Sequence, residues 1–324
     1  MSDPCIVTSS DIPDMSGQSP SAWWIDDEGN WRPVDDESEL PHQRDPATSH
    51  SEALSFLYDW LGMIRIDVRA TETIVEWDVQ NVQPTCLEEA KTFLDRPQQG
   101  REIVLHYCYG GWCRERFPNA ASALERLLET EAYRHVAPFE GPTIHPIDLQ
   151  KLDREQLQYP IRQALQLWES WKAAPEQSLL AFFESPELLE DMILYRRDET
   201  GQLVYARIGG SSLFAQAYGH QQTSELIGRN CGLDPDHATP QNPICEAYET
   251  VLASGNPRYD RLRATYSRND MRHWISCERL LLPFTTPVGE EFLISVCCAL
   301  DTVAIPTSGA GDTISTDLSR TQMA

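Results

Sequence analysis

The segment LVYARIGGSSLFAQAYG, from Leu203 to Gly219, decides the fold of the carboxyl-terminal half of this 324-residue chain. Its first part, Leu203 to Gly209, alternates apolar and polar residues after a turn, which predicts a strand. In its second part, Ser211 to Tyr218, a capping serine precedes apolar residues at helical spacing, and Gly219 ends the pattern. A strand followed at once by a short helix predicts the start of a small mixed domain.

The residues that follow continue this domain. Thr223 to Ile227 is interpreted as a short turn, and Ile244 to Ala253 has the apolar spacing of a helix. Turn residues then separate three further apolar segments, which predict strands. These three strands are predicted at Tyr259 to Tyr266, Met271 to Leu282 and Glu291 to Leu300. The predicted order is therefore a strand, short helices, a longer helix and three strands in a meander.

Three motifs in this region resemble those of the PAS domain, and specifically of the stand-alone PAS proteins of alphaproteobacteria. They are YARIGGSSLFAQAYG (Tyr205 to Gly219), ELIGRN (Glu225 to Asn230) and WISCERLLLPF (Trp274 to Phe284). The resemblance covers residues 190–302, about a third of the chain. It implies a non-catalytic cytoplasmic sensor or adaptor in bacterial signal transduction, which acts through protein–protein interaction or small-ligand binding.

The loop ELIGRNC, from Glu225 to Cys231, also resembles the flavin-binding loop of light-oxygen-voltage domains, in which this cysteine adds to a photoexcited flavin. That family continues with Arg, Phe, Leu and Gln, whereas this chain continues with Gly, Leu, Asp and Pro. We therefore predict no photoadduct at Cys231 and expect no resident cofactor. A flavin- or haem-binding sensor is the alternative function. The candidate pocket residues are Cys231, Asn230, His220 and Trp274.

The amino-terminal half predicts a second mixed α+β region. Helices are predicted at Ser51 to Leu61, Cys86 to Leu94 and Ala120 to Leu128, and strands at Met63 to Arg69, Thr73 to Val79 and Ile103 to Tyr109. The motif YCYGGWCRERF, from Tyr107 to Phe117, is predicted to be a loop that joins strand to helix, because two glycines permit a tight backbone turn.

This motif carries side chains that bind metals or anions in other proteins. His106, Cys108 and Cys113 are soft ligands, yet no CxxC or HExxH pattern accompanies them, and ordinary core packing is the expectation. Arg114 and Arg116 form either an anion site or a solvated turn. We predict no metal site and no catalytic residue, since no nucleophile motif or phosphate loop occurs.

A helix is predicted from Leu152 to Ala173, with an apolar stripe that some other surface must cover. Either the stripe packs within its own chain or it pairs with the same helix of a second copy. We expect self-association through this helix. The four interaction residues are Leu157, Ile161, Leu165 and Trp168.

These patterns divide the chain into five parts, with an α+β fold class in which a carboxyl-terminal PAS domain follows a mixed α+β domain. The PAS domain is expected to be an antiparallel sheet with flanking short helices. Three tryptophans in the first part, Trp23, Trp24 and Trp31, either clamp onto the body of the protein or dock on a partner. The parts are an acidic irregular tail (1–48), the mixed α+β domain (49–148), a helical linker (149–185), the PAS domain (186–302) and a flexible tail (303–324).

Composition limits the partners. The formal charge of −24 and the pI near 4.6 disfavour nucleic acid and anionic membrane surfaces, since phosphate contacts require a basic surface. Other signalling proteins are the expected partners, together with a homodimer. The first residues contain acidic side chains and no basic region, which is not typical of a signal peptide. Nine cysteines without a repeating framework indicate reduced thiols, and a cytoplasmic location is expected.

Overall fold

A computed structural model describes residues 22–34, 57–58, 61–97, 100–138, 141–173, 186–231, 243–268, 271–286 and 289–300. The predicted helix Ser51 to Leu61 falls almost entirely outside these residues, and so does the predicted flexible tail from 303 onward. None of the helices in the described part of the chain is long and apolar enough to cross a membrane.

The described residues form twelve strands and seven α-helices, numbered in chain order. The strands are β1 (Ala22–Ile25), β2 (Trp31–Pro33), β3 (Ile64–Val68), β4 (Glu72–Asp78), β5 (Glu102–Cys108), β6 (Trp112–Phe117), β7 (Thr143–Ile147), β8 (Met192–Arg197), β9 (Leu203–Ile208), β10 (Arg258–Arg268), β11 (Met271–Thr285) and β12 (Glu291–Ala299). The helices are α1 (Pro84–Leu94), α2 (Ala120–Ala132), α3 (Tyr159–Ala173), α4 (Pro186–Asp191), α5 (Leu213–Tyr218), α6 (His220–Leu226) and α7 (Pro243–Ser254).

Backbone pairing links the described strands into one mixed sheet, and this finding overturns the expected fold class. The main order is β2-β1-β3-β4-β5-β6-β11-β12-β8-β9, and β10 pairs with both β11 and β7. A carboxyl-terminal PAS domain preceded by a separate α+β domain is therefore the wrong description. The error lies at β6, which the glycine-rich motif had suggested to be a loop. Trp112 of β6 pairs in parallel with His273 of β11, so the pairing is continuous there.

The chain also divides into two compact units by its internal contacts. The first takes in the residues up to Gly110 together with Arg116–Glu140, and the second takes in Gly111–Glu115 and Gly141–Val303. Each unit has its own buried apolar residues, so each has a core of its own.

In the first unit, strands β1 to β5 pair in the order β2-β1-β3-β4-β5. The tryptophans near the amino terminus lie in β1 and β2, within a stretch that was expected to be irregular. The ring of Trp24 lies 5.4 Å from that of Tyr58, and the ring of Trp31 lies 5.6 Å from that of Phe93. The tryptophans therefore pack on their own unit, because burying such large rings stabilises the fold.

In the second unit, six strands pair antiparallel in the order β7-β10-β11-β12-β8-β9. Successive side chains of a strand point to opposite faces, so the two faces of this sheet collect different residues. On one face Leu280, Leu282 and Ile294 pack under α3 and α4. On the other face Ile193 and Leu293 pack under α6 and α7, with other residues.

Helix α3 carries three of the four residues predicted to mediate self-association, and Leu157 lies just before the helix. The structure buries all four within the chain. Leu157, Ile161, Leu165 and Trp168 belong to the apolar cluster under α3, and none is more than 5% exposed. The indole Nε1 of Trp168 donates a hydrogen bond to the backbone oxygen of Pro283 on β11, at 2.8 Å. The stripe is therefore covered by its own sheet, which was the alternative to self-association.

Most of the local predictions in this unit are confirmed within a few residues, including strands β9 to β12 and helix α7. The helix predicted from Leu152 begins at Tyr159, after a 3-10 turn at Arg154–Gln156. The short turn predicted at Thr223 to Ile227 is instead the last part of α6 and its cap residue Ile227. Thr223 Oγ1 donates to the backbone oxygen of Gly219 at 3.0 Å, a bond that is compatible with a helix.

Candidate functional site

The second unit contains a partly open cavity of about 100 Å³, between the sheet and helices α5 and α7. Most of its strand residues lie at alternate positions, because side chains two residues apart share a face. The pairs are Ile193 and Tyr195 on β8, Leu262 and Ala264 on β10, Cys277 and Arg279 on β11, and Ser295 and Cys297 on β12. The walls are largely apolar, with a few polar groups, a combination that is typical of small-molecule sites.

The helices close the cavity with residues at helical spacing. Leu213 and Ala217 of α5, and Ile244 and Tyr248 of α7, are each four residues apart and so lie on one helix face. The amino end of α5 is set by Ser212, whose Oγ accepts a hydrogen bond from the backbone N–H of Ala215 at 3.2 Å. This cap satisfies one of the free donors of the first turn and fixes where α5 begins.

Tyrosine rings form the wall near α7. The ring of Tyr195 lies 5.0 Å from that of Tyr248 and 5.1 Å from that of Tyr205. The hydroxyls of Tyr195 and Tyr248 are hydrogen-bonded to each other at 3.2 Å. Burial raises the pKa of both phenols above the ordinary value for tyrosine, so both stay neutral and the wall contributes no charge.

A buried ion pair contributes the charge of this site. Arg279 Nη2 donates to Asp260 Oδ2 at 2.6 Å, and Arg258 Nε donates to Asp260 Oδ1 at 2.8 Å. The guanidinium of Arg279 lies 5.5 Å from the centroid of the Tyr248 ring, within cation–π distance. Both members of the pair are almost fully buried, since Arg279 is 1% exposed and Asp260 is 0% exposed.

Arg279 has more donors than this pair uses. Its Nε and Nη1 are buried and have no hydrogen-bond acceptor among the residues that the structure describes. Arginine is always charged, and an unsatisfied buried donor costs free energy. Arg279 also lines the cavity, so its positive charge lies beside any ligand that the cavity binds.

Two cysteines lie beside this arginine. Cys277 and Cys297 line the cavity from the neighbouring strands β11 and β12, and Cys297 is the cross-strand partner of Arg279. Ser295 Oγ lies 3.7 Å from Cys297 Sγ. A hydrogen bond from the Cys277 thiol lowers the pKa of Cys297 to about 7, against the effect of burial and with help from the charge of Arg279. Cys297 is thus the thiol in this cavity that is poised to ionise near neutral pH.

The structure brings one of the four predicted pocket residues into the cavity. Cys231 is buried and lines it, and the Cys245 thiol donates to the Cys231 backbone oxygen at 3.6 Å. The neighbouring Cys245 thiol and burial raise the pKa of Cys231 well above that of an ordinary cysteine, so it stays protonated.

The other three predicted pocket residues are not among the described lining residues. The side-chain amide of Asn230 donates to Gln202 Oε1 at 2.7 Å. His220 is exposed at the start of α6. Trp274 is buried, and the guanidinium of Arg263 lies 5.4 Å from its ring centroid.

The sequence interpretation missed Asp260, Arg279, Cys277 and Cys297 as site residues. Arg279 and Cys277 stand at alternate positions of a strand that was predicted, so their shared face was available from the sequence. The same-face neighbours of Arg279 are Cys277 and Leu281, and an arginine on the apolar face of a strand is rare unless it is paired, which was the usable signal. Its partner on β10 was not identifiable, because it depends on the pairing register Asp260 to Arg279.

The glycine-rich motif of the first half does not form a ligand set in the described structure. No group of three or more His, Cys, Asp or Glu side chains suited to holding a metal occurs in the described ranges. His106 Nδ1 lies 3.5 Å from Glu76 Oε2, and Arg116 Nη1 lies 2.6 Å from Glu102 Oε2. Arg116 is therefore engaged in an ion pair of its own unit.

Comparison with known proteins gives a distant structural parallel. No family model and no curated protein matches the sequence. A solved structure of an RNA-binding light-oxygen-voltage receptor is similar with a TM-score of 0.31 and 18% sequence identity. The match covers 55% of this chain and 43% of that chain, so this chain spans less than half the length of the receptor. The receptor has a PAS-type fold, and the similarity to it is weak.

Proposed function

We propose that the second unit binds a small, largely apolar molecule with an oxygen acceptor, and that the protein is a non-catalytic sensor of that molecule. The observation that carries this proposal is the position of Arg279, which lines an apolar cavity with two buried donors that lack an acceptor among the described residues. A ligand oxygen would remove that cost, and the apolar walls would bind the remainder of the molecule.

The size of the cavity supports a small ligand. Pockets for drug-sized ligands have volumes of about 300–1,000 Å³, and engineered apolar cavities of about 150 Å³ bind benzene. The cavity of this protein, at about 100 Å³, suits a ligand with a single small ring better than a flavin or a haem. We therefore prefer a small-molecule sensor to the alternative of a flavin- or haem-binding sensor.

The proposal extends to partners and location. Ligand occupancy would be communicated to other signalling proteins, and nucleic acid is not expected to bind a chain with a net charge of −24. A homodimer is retained only as a proposal, tested by light scattering, since the stripe on α3 is covered within the chain. A cytoplasmic location is supported by the eight described cysteines, all of which are free thiols.

Cyclopentanone is a suitable probe, because it has one small apolar ring and one oxygen acceptor. A ligand that binds only the folded state stabilises it, by about 2.7 kcal/mol at a concentration of 100 Kd. We expect cyclopentanone to raise the unfolding midpoint more than methylenecyclopentane, which has the same shape and no oxygen. Equal shifts with both compounds would contradict a role for Arg279, and no shift with either would contradict the proposal.

A pair of variants tests whether cyclopentanone binds in the cavity. Ala264 lines the cavity from β10, whereas Ala299 is exposed at the end of β12. Ala264→Leu should fill the cavity and remove the shift caused by cyclopentanone, while Ala299→Leu should keep it. A shift that survives in Ala264→Leu would mean that cyclopentanone binds elsewhere.

A further inference from the structure

Resting on the proposed function, we propose that the cavity takes small α,β-unsaturated carbonyl compounds and that Cys297 captures them covalently. Reversible binding of such a compound would thereby lead to a covalent modification of Cys297. Three side chains that the sheet places in a row support this capture, together with the chemistry of the thiol and the surroundings of the other cysteines.

The row crosses three neighbouring strands. Asp260 on β10 is the cross-strand partner of Arg279 on β11, and Arg279 is the partner of Cys297 on β12. Directly opposed residues in a sheet have Cβ atoms about 4.5–5.5 Å apart. Arg279 and Cys297 both line the cavity. One small ligand can therefore place its carbonyl oxygen at the guanidinium of Arg279 and its β-carbon beside the sulfur of Cys297.

Arg279 is the independent observation that indicates a ligand at this position. It is buried to more than nine tenths, and its Nε and Nη1 have no acceptor in the described part of the chain. In an α,β-unsaturated carbonyl compound the oxygen gains negative charge as a nucleophile attacks the β-carbon. A positively charged donor that is already in place stabilises that charge without rearrangement.

The surroundings of Cys297 favour the thiolate, which is the nucleophilic form. The groups that face it are Cys277 and Arg279 on β11 and Asp260 on β10, with Ser295 on its own strand. The charge of Asp260 opposes ionisation, but Asp260 is directly paired with Arg279. The Tyr248 hydroxyl on α7 stays neutral, because burial raises its pKa.

The addition needs no oxidant or reductant. The electron pair of the Cys297 sulfur forms a bond to the β-carbon, and the carbon–carbon π pair moves toward the carbonyl oxygen, where Arg279 donates to it. The proton lost by the thiol is replaced at the α-carbon by a proton from solvent. The sum of the steps adds S–H across the double bond, and all atoms and electrons are accounted for.

Two other cysteines show why the reaction is assigned to Cys297. Cys231 lines the same cavity, but the Cys245 thiol and burial raise its pKa, so it remains a poorly reactive thiol. Cys298 follows Cys297 in sequence, but it belongs to the cluster on the opposite face of the sheet, and burial raises its pKa to about 12. Cys298 is thus the matched control.

Cyclopent-2-enone, the unsaturated counterpart of cyclopentanone, tests the proposal on the full chain. Adducts are located by fragment mass spectrometry at short reaction times. We expect Cys297 to be modified on the order of tenfold or more faster than Cys298 or Cys231, as the difference in thiolate fraction requires. Cys297→Ala should abolish the fast adduct, and Cys298→Ala should leave its rate unchanged.

Competition with cyclopentanone tests the same proposal on the unaltered protein. Cyclopentanone has no carbon–carbon double bond, so it can occupy the cavity without forming the adduct. We expect saturating cyclopentanone to slow the modification of Cys297. The double variant Asp260→Asn/Arg279→Gln keeps a pair of polar side chains in place of the ion pair, and it should also slow the reaction. An adduct rate at Cys297 that cyclopentanone leaves unchanged would overturn capture from within the cavity.

The results separate the two proposals. If cyclopentanone binds and Cys297 reacts no faster than Cys298, the covalent capture is wrong and the small-molecule sensor stands. If cyclopentanone does not bind, the sensor proposal fails and the capture fails with it.

Discussion

Arg279 and Asp260 form a hydrogen-bonded ion pair across neighbouring strands, with Nη2 and Oδ2 2.6 Å apart in a region that solvent barely reaches. Burying two charges costs free energy that their mutual attraction offsets only when both are present. The pair therefore fixes the side chain of Arg279, on β11, to β10 as well. Asp260 holds Nη2 of the guanidinium, while Nε and Nη1 have no acceptor in the described structure.

Removing the carboxylate should destabilise the second unit strongly. We expect Asp260→Ala to lower the free energy of unfolding by about 3–5 kcal/mol, because the charge of Arg279 is then buried without its partner. The matched control is Glu169→Ala, which removes a carboxylate that pairs with Arg154 at the surface. That change should cost about 1 kcal/mol or less. Urea unfolding followed by fluorescence measures both, and equal effects would contradict a special role for the buried pair.

Helix α3 should behave as part of the core. Ile161 is fully buried against the sheet, and we expect Ile161→Ala to cost about 2–5 kcal/mol through lost burial and the cavity that remains. Gln166→Ala, on the exposed side of the same helix, should change stability by about 0.5 kcal/mol or less. If Ile161→Ala left the free energy of unfolding unchanged and altered only the mass measured by light scattering, the stripe would form a dimer interface.

The reactivity of Cys297 should depend on pH with a midpoint near 7. The hydrogen bond from Cys277 lowers the pKa of Cys297 to about 7, so its thiolate forms as pH rises through that value. Below it, the rate of cyclopent-2-enone addition should rise by about tenfold per pH unit, and above it the rate should level off. Cys277→Ala removes the donor, and we expect the midpoint to move upward toward the ordinary range for cysteine.

Two findings would contradict that assignment. A midpoint that stays near 7 in Cys277→Ala would mean that Cys277 does not set the pKa of Cys297. A midpoint at the ordinary cysteine value in the unaltered protein would mean that Cys297 is an ordinary thiol. Cys298→Ala serves as the control, and it should leave the midpoint in place because its side chain lies on the opposite face.

In the first unit, the cap of α2 gives a prediction that is independent of the cavity. Asn119 Oδ1 accepts a hydrogen bond from the backbone N–H of Ser122 at 2.9 Å, at the start of the helix. Asn119→Ala should cost about 0.5–2 kcal/mol, as the loss of such caps does elsewhere. Ser122→Ala keeps the backbone donor and should have little effect. Thermal unfolding compares them, and an equal loss in both would rule out the cap as the cause.

Local patterns in the sequence were sufficient for the elements whose signals lie within a few neighbouring residues. Alternation at Leu203 to Gly209 and the spacing from Ile244 to Ala253 predicted β9 and α7, since periods of 2 and 3.6 residues follow from backbone geometry alone. The asparagine before Ala120 likewise marked the start of α2. The same local rules misplaced β6, where two glycines suggested a loop and obscured the strand that follows them.

The amino-acid sequence by itself thus determined the order and approximate bounds of most elements, the acidic net charge and the apolar stripe of α3. Only the tertiary structure decided that the stripe is covered by β11 and β12, that Trp112 pairs with His273, and that Asp260, Arg279 and Cys297 stand in one row. The physical reason is that these contacts depend on which strands pair and in which register. A shift of one residue would turn each of these side chains to the other face of the sheet.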